Sequence, residues 1–271
     1  MGEKKELWKA IDILLNFNGK FAPGYLYKPE VVQKKYGAVV LCHGNYGEGK
    51  DIDLILEIAK GLANSGYVVL TFDNLLYNKG WRPNNNVPVQ PEEVDFRWAA
   101  YAAVSYLCEL DYVDKNDITI IGHSLGATIS LAVGALDERI SRVVCISPTR
   151  VSRFIFDAEK SESFWKSNIQ ERLDVKMDVN TMRIIRSVLL EESNIPFLKN
   201  LKPVLFMYGR GERYFGYDKW IENLANNIGQ NAELSFIPKA RHYFGTKPDP
   251  EDRAITEQLI ATLEHWMNAK K

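Results

Sequence analysis

Apolar positions follow two rhythms along this chain. Short, nearly unbroken runs occur at Gly37 to Cys42, Tyr67 to Phe72, Asp117 to Gly122, Arg142 to Ile146 and Val204 to Gly209. Such runs suit strands covered on both faces. Between them, Asp51 to Ser65 carries apolar residues at 52, 55, 58, 59 and 62, a helical spacing closed by Gly66. Val94 to Leu110, Leu125 to Leu136, Tyr217 to Ile228 and Glu251 to Met267 read as further helices, and Glu233 to Ile237 as a last strand. Strands alternating with helices predict right-handed crossovers and a mainly parallel sheet. Ahead of this series, Ile11 to Phe17 and Lys20 to Tyr27 flank Asn18-Gly19, the signal of a two-residue hairpin turn.

The alternation breaks over residues 151–198. This stretch reads as helical and holds Phe154, Phe156, Phe164, Trp165, Met177 and Met182, with Ile184, Ile185, Val188 and Leu189 at helical spacing. The expected architecture is an α/β core, residues 1–150 and 199–271, built on a doubly wound, mostly parallel sheet with an N-terminal antiparallel hairpin. A helical cap, 151–198, is expected as an insertion after the fifth of the parallel strands.

Composition narrows the function classes. Thirty-four basic and 35 acidic residues give a net charge of −1, so no global field draws in nucleic acid or an anionic membrane. Cys42, Cys108 and Cys145 are too far apart to suggest a disulfide framework or a zinc site. No apolar stretch approaches the ~20 residues of a membrane span, and the charged start Met1 to Glu6 is unlike a signal peptide. A cytoplasmic location is expected.

The chemistry concentrates at Gly122-His123-Ser124-Leu125-Gly126, a G-x-S-x-G motif between a buried strand and a helix. A serine on so tight a turn is lifted above the C-terminal edge of the sheet, and side chains two residues either side would collide. A plain helix-capping serine is the alternative. A serine needs a base to take its proton. Of four histidines, His43 ends a strand, His123 lies in the turn with its side chain expected to point away from the neighbours of Ser124, and His265 is on the last helix. His242 lies on a loop after a late strand, which selects it. A carboxylate should orient the imidazole, coming between serine and histidine in chain order. Glu212 is the first candidate, Asp218 the alternative and Asp157 a distant third. The N–H of Leu125, at a helix N-terminus, and that of Asn45, after the strand ending at Cys42, suit an oxyanion hole.

Together these stretches resemble the α/β-hydrolase superfamily, near its dienelactone hydrolase and prolyl-oligopeptidase-like esterases. Gly19 to Pro29 resembles the opening hairpin, Cys42-His43-Gly44-Asn45 the oxyanion loop, Gly122 to Gly126 the nucleophile elbow and Ala240-Arg241-His242 the histidine loop. The insertion falls where that family carries its cap. Two departures stand out: Glu212 replaces the usual Asp, and Arg241 replaces a small residue before the histidine.

One rival motif remains. Gly44 to Asp51 nearly spells the phosphate-binding G-x-x-x-x-G-K-[ST], but Asp51 replaces the hydroxyl that would hold Mg²⁺ and adds negative charge beside the phosphates. Otherwise Lys50 and Asp51 simply begin an exposed helix. The expected function is a serine hydrolase cleaving a small-molecule carboxylic ester, acyl or aromatic, with no metal or organic cofactor. Thioester or amide cleavage, and ligand binding without catalysis, are the alternatives. The sequence does not set the oligomeric state.

Overall fold

Alternate residues of β3 (Tyr36–Cys42) face opposite ways, and both directions are apolar. Ala38, Val40 and Cys42 join one buried cluster, and Val39 and Leu41 the other. The same division recurs in β4 (Val68–Phe72), β6 (Arg142–Ile146) and β7 (Val204–Gly209). This is why these runs cannot lie at a surface: the sheet needs helices on both sides.

The computed structural model describes residues 8–17, 19–30, 35–44, 49–74, 97–148, 202–211, 217–246 and 250–270. Within them one eight-stranded sheet runs in the order β1-β2-β4-β3-β5-β6-β7-β8. Strands β1 (Trp8–Phe17) and β2 (Lys20–Pro29) form the expected hairpin. Phe17 pairs with Lys20, and Gly19 takes the positive φ of +78° that the two-residue turn demands. β2 joins β4 antiparallel, whereas β3 to β8 pair in parallel. β5 (Val113–His123) follows α2 (Arg97–Glu109), and β8 is Ala232–Ile237.

Helices α2, α3 (Leu125–Leu136) and α4 (Tyr217–Ile228) contribute to one apolar cluster. α1 (Asp53–Asn64) and α5 (Pro250–Ala269) contribute to the other. The sheet is therefore doubly wound, as the alternation predicts.

Two differences from the sequence reading have local causes. β5 begins at Val113, four residues before the apolar run, because the backbone pairs Tyr36 with Val113 beyond a register shift and tolerates polar Asp114 to Asn116 there. Residues 50 and 51 belong to a 3-10 turn, Gly49–Asp51, and α1 starts at Asp53. Lys50 is buried rather than on an exposed helix, as described below. The cap segment 151–198 lies outside the described residues; in chain order it follows β6, which is the fourth of the parallel strands, after β3, β4 and β5, and not the fifth. Among the described residues no helix is long and apolar enough to cross a membrane.

Candidate active site

The strand order turns back between β3 and β5. A sheet of this kind leaves a crevice at such a switch point, beyond the carboxyl ends of the strands. Ser124 stands there, between β5 and α3, at φ 56° and ψ −117°. Its N–H donates to the Ile146 carbonyl of the neighbouring strand at 2.9 Å, while its own carbonyl accepts from Ala127 (3.1 Å) and Thr128 (3.4 Å) to start the helix. The serine is thus held by both elements in a backbone conformation that is costly for a residue with a side chain. Ser147, Lys239 and Phe244 are the other non-glycine residues at positive φ among the described residues, and all four lie beyond the carboxyl ends of β5, β6 or β8.

Glycines make the turn possible. A Cβ at Gly122 would stand 2.0 Å from the Gly126 carbonyl oxygen. One at Gly126 would stand 2.2 Å from the Cys42 carbonyl oxygen and 2.6 Å from that of His43. The start of α3 therefore lies directly against the end of β3. Leu125 and Gly126 are in the first helical turn, whose N–H groups lack an intrahelical acceptor. Leu125 is 5% exposed.

His242 reaches the same edge on a loop fixed from three sides. Before it, the buried Ala240 carbonyl accepts from the Gly211 N–H at 2.8 Å, and Arg210 donates to Ile237 at 3.1 Å. After it, Phe244 is fully buried, and the Thr256 hydroxyl lies within donating reach of the Phe244 (2.9 Å) and Gly245 (2.7 Å) carbonyls. At residue 242 itself, the carbonyl oxygen lies 2.6 Å from Nε2 of His123. A carbonyl only accepts, so that nitrogen carries the proton. The two rings are 4.8 Å apart, centroid to centroid. Burial, and then the neighbouring His242, hold the His123 imidazole well below its ordinary pKa, so the ring is neutral.

The contact of the His123 ring with the His242 loop was not foreseen from the sequence. Its cause is strand parity. Ile121 and His123 are two apart on β5, and the face of Ile121 is the one that packs Ala240 and Phe244. The ring of His123 meets Phe244 edge-on at 6.2 Å.

His43 plays a parallel part at the end of β3. Its Nδ1 lies 2.6 Å from the Gly44 carbonyl, to which it donates, and its Nε2 accepts the Asn74 N–H at 3.0 Å. His43 and His123 are thus neutral in opposite tautomers. Burial pulls the His43 imidazole down to about 4.

Lys50, near the same edge, is 7% exposed. Its Nζ lies 3.0 Å from Asp51, 3.9 Å from Asp73 and 4.1 Å from the centre of the Tyr25 ring, while its N–H donates to Asp73 Oδ1 at 2.8 Å. Burial pulls this ammonium down, but Asp51, Tyr25 and Asp73 more than offset it and leave its pKa raised. A lysine so enclosed by carboxylates has its charge met within the protein, which argues against its serving a phosphate.

Of the other candidates, Asn45, Glu212 and Asp157 lie outside the described residues. Asp218 is on α4, but its side chain is likewise outside. No group of three or more metal-ligating side chains occurs among the described residues.

This geometry agrees with the comparisons to known proteins. A family profile described as the alpha/beta hydrolase fold matches residues 37–174. The chain belongs to this family. Among solved structures it resembles the esterase Est1E of Butyrivibrio proteoclasticus with a TM-score of 0.69 at 18% identity, covering 96% of this chain and 99% of that one. A Klebsiella pneumoniae protein assigned as a dienelactone hydrolase gives a TM-score of 0.64 at 15% identity, over 95% and 98% of the two chains. Among curated sequences, the quorum-quenching protein AidA of Acinetobacter baumannii is 26% identical over 139 residues, 51% of this chain and 43% of that protein. The match spans less than half the length of the curated relatives.

Proposed function

We propose that this member of the alpha/beta hydrolase family is a serine hydrolase that cleaves a small-molecule carboxylic ester through an acyl-enzyme. The observation that carries the reading is Ser124, held at positive φ between β5 and α3, beside a histidine loop fastened to the adjoining residue. Strain stored at a nucleophile, with a base on the same sheet edge, is the arrangement that acyl transfer requires.

In this scheme Ser124 Oγ attacks the ester carbon and its proton passes to His242. The carbonyl oxygen becomes an oxyanion, held by the N–H groups of Leu125 and Asn45. Collapse breaks the bond to the alcohol, which leaves with the proton from His242. Water then attacks the acyl-enzyme by the same route, and the acid is released. Glu212 holds the His242 imidazole and stabilises its charged form. The bond from Gly211 to Ala240 supports this choice, since it ties together the two loops that lead into Glu212 and His242. The scheme draws on no metal or organic cofactor.

Structural neighbours that are esterases and hydrolases support hydrolysis, and the complex of Est1E with ferulic acid supports a small, aromatic acyl group. The aromatic and methionine-rich segment 151–198 would cap the crevice and supply its apolar wall.

A fluorophosphonate reacts covalently with an activated serine. It should label Ser124 in the wild-type protein and leave Ser124→Ala unlabelled. The same variant should lose p-nitrophenyl ester hydrolysis by several orders of magnitude in kcat. Hydrolysis that survives in Ser124→Ala, or label on another residue, rejects the scheme.

A further inference from the structure

We infer that His123 is a positioning residue for His242, its ring N–H gripping the His242 main-chain carbonyl and so fixing where the imidazole of residue 242 stands. The inference rests on the serine-hydrolase reading above and adds to it a second, non-reacting histidine. The sequence marks His123 as a variable position of the G-x-S-x-G motif and passes it over as the base.

Three observations carry it. Nε2 of His123 lies 2.6 Å from the His242 oxygen, a short contact between a buried ring and the backbone of the residue proposed as base. His123 is the last residue of β5 and is fully buried, so its own position is set by the sheet and by Phe244. Ser124 follows it directly. One rigid strand end therefore places the nucleophile through the backbone and the base through a side chain, and movement of β5 would carry both together.

The choice of residue type also follows from the chemistry. An apolar side chain would leave the His242 carbonyl without this donor. Lysine or arginine could donate, but would set a permanent cation beside an imidazole that must itself accept a proton. A neutral imidazole donates without that repulsion, and burial keeps it neutral.

The test compares His123→Met, which removes the donor, with His123→Gln, whose amide nitrogen can occupy the place of Nε2. His123→Met should lower kcat and the rate of fluorophosphonate labelling by about 10–100-fold, with KM changed less than about twofold. His123→Gln should restore most of the loss. A purely structural role would instead lower the melting temperature of both variants and leave the kcat of the folded fraction alike.

Nitrogen-15 NMR of the wild-type protein supplies an independent readout that needs no variant. At neutral pH it should show His123 protonated on Nε2 and bare on Nδ1; the opposite tautomer overturns the inference. Equal kcat in His123→Met, His123→Gln and wild type, with the wild type labelled at Ser124, also overturns it while leaving the hydrolase reading intact. A wild-type protein that takes no label overturns both.

Discussion

Gly126 and Cys42 touch where no side chain could fit: a Cβ on the glycine would stand 2.2 Å from the Cys42 carbonyl oxygen. The contact presses the first turn of α3 onto the end of β3. It sets the backbone after Ser124 against the His43–Gly44 segment that leads to Asn45. Gly126→Ala should therefore force two backbones apart rather than displace a flexible side chain. The expected loss is roughly 1–3 kcal/mol of stability, read from urea unfolding, with a fall in kcat larger than the loss of folded protein explains. A variant with wild-type stability and turnover would show that this contact does not set the site.

The two neutral histidines predict acid sensitivity. A folded-state pKa below the unfolded value means that the unfolded chain binds more protons between the two. Stability should therefore be full above the ordinary imidazole pKa of about 6.5 and fall as pH drops toward the folded value. For His43, with a folded value of about 4, the loss at pH 5 is about 2 kcal/mol, and His123 adds to it with the same sign. Urea midpoints at pH 7 and pH 5 check this. His43→Asn should show a smaller drop between the two pH values than the wild type. An equal drop would assign the acid sensitivity elsewhere.

Lys50 and Asp73 give a prediction that separates a structural cluster from a phosphate site. Asp73 Oδ1 accepts the Lys50 N–H at 2.8 Å, and a Cβ at Gly49 would fall 2.3 Å from that same oxygen. The carboxylate therefore closes the 3-10 turn that precedes α1. Asp73→Ala should release that turn and cost roughly 1–3 kcal/mol, the scale for losing a partner to a buried polar group. ATP with Mg²⁺ should leave the melting temperature of the wild type unchanged. A clear rise with nucleotide would revive the phosphate-binding reading.

Much of this fold was legible because two-sided burial writes itself into the chain. The runs ending at Cys42, Phe72 and Ile146 could only be central strands, and α3 and β6 fall on the predicted residues. The elbow was legible because steric exclusion restricts residue type at Gly122 and Gly126. What escaped notice depends on long-range contact. The ring of His123 finds residue 242 across 119 positions, and that of His43 finds Asn74 across 31. Strand parity already put His123 on the face of Ile121, but nothing in a single sequence says which loop that face meets. The start of β5 was missed for a related reason: polar Asp114 to Asn116 fall in a register shift, and the strand shows itself there only through the pairing of Val113 with Tyr36.

The identity of the acid is the prediction that most sharply separates two neighbouring carboxylates. Glu212 follows Gly211, whose N–H is bonded to the Ala240 carbonyl two residues before His242. Asp218 is the second residue of α4, where a carboxylate is favoured by the helix N-terminus whether or not it meets a histidine. If Glu212 orients the imidazole, Glu212→Gln keeps the shape of the side chain but removes the charge that stabilises imidazolium. It should lower kcat by about 10³–10⁴-fold with little change in KM. Asp218→Asn should lose at most a few tenths of a kcal/mol to about 1 kcal/mol of helix stability and keep its turnover. Glutamate is one methylene longer than the aspartate usual at this position, so Glu212→Asp should be partly impaired, the shorter carboxylate falling short of the ring. Steady-state kinetics on the three variants with one p-nitrophenyl ester reads the result. Inactivity confined to Asp218→Asn would move the acid to α4.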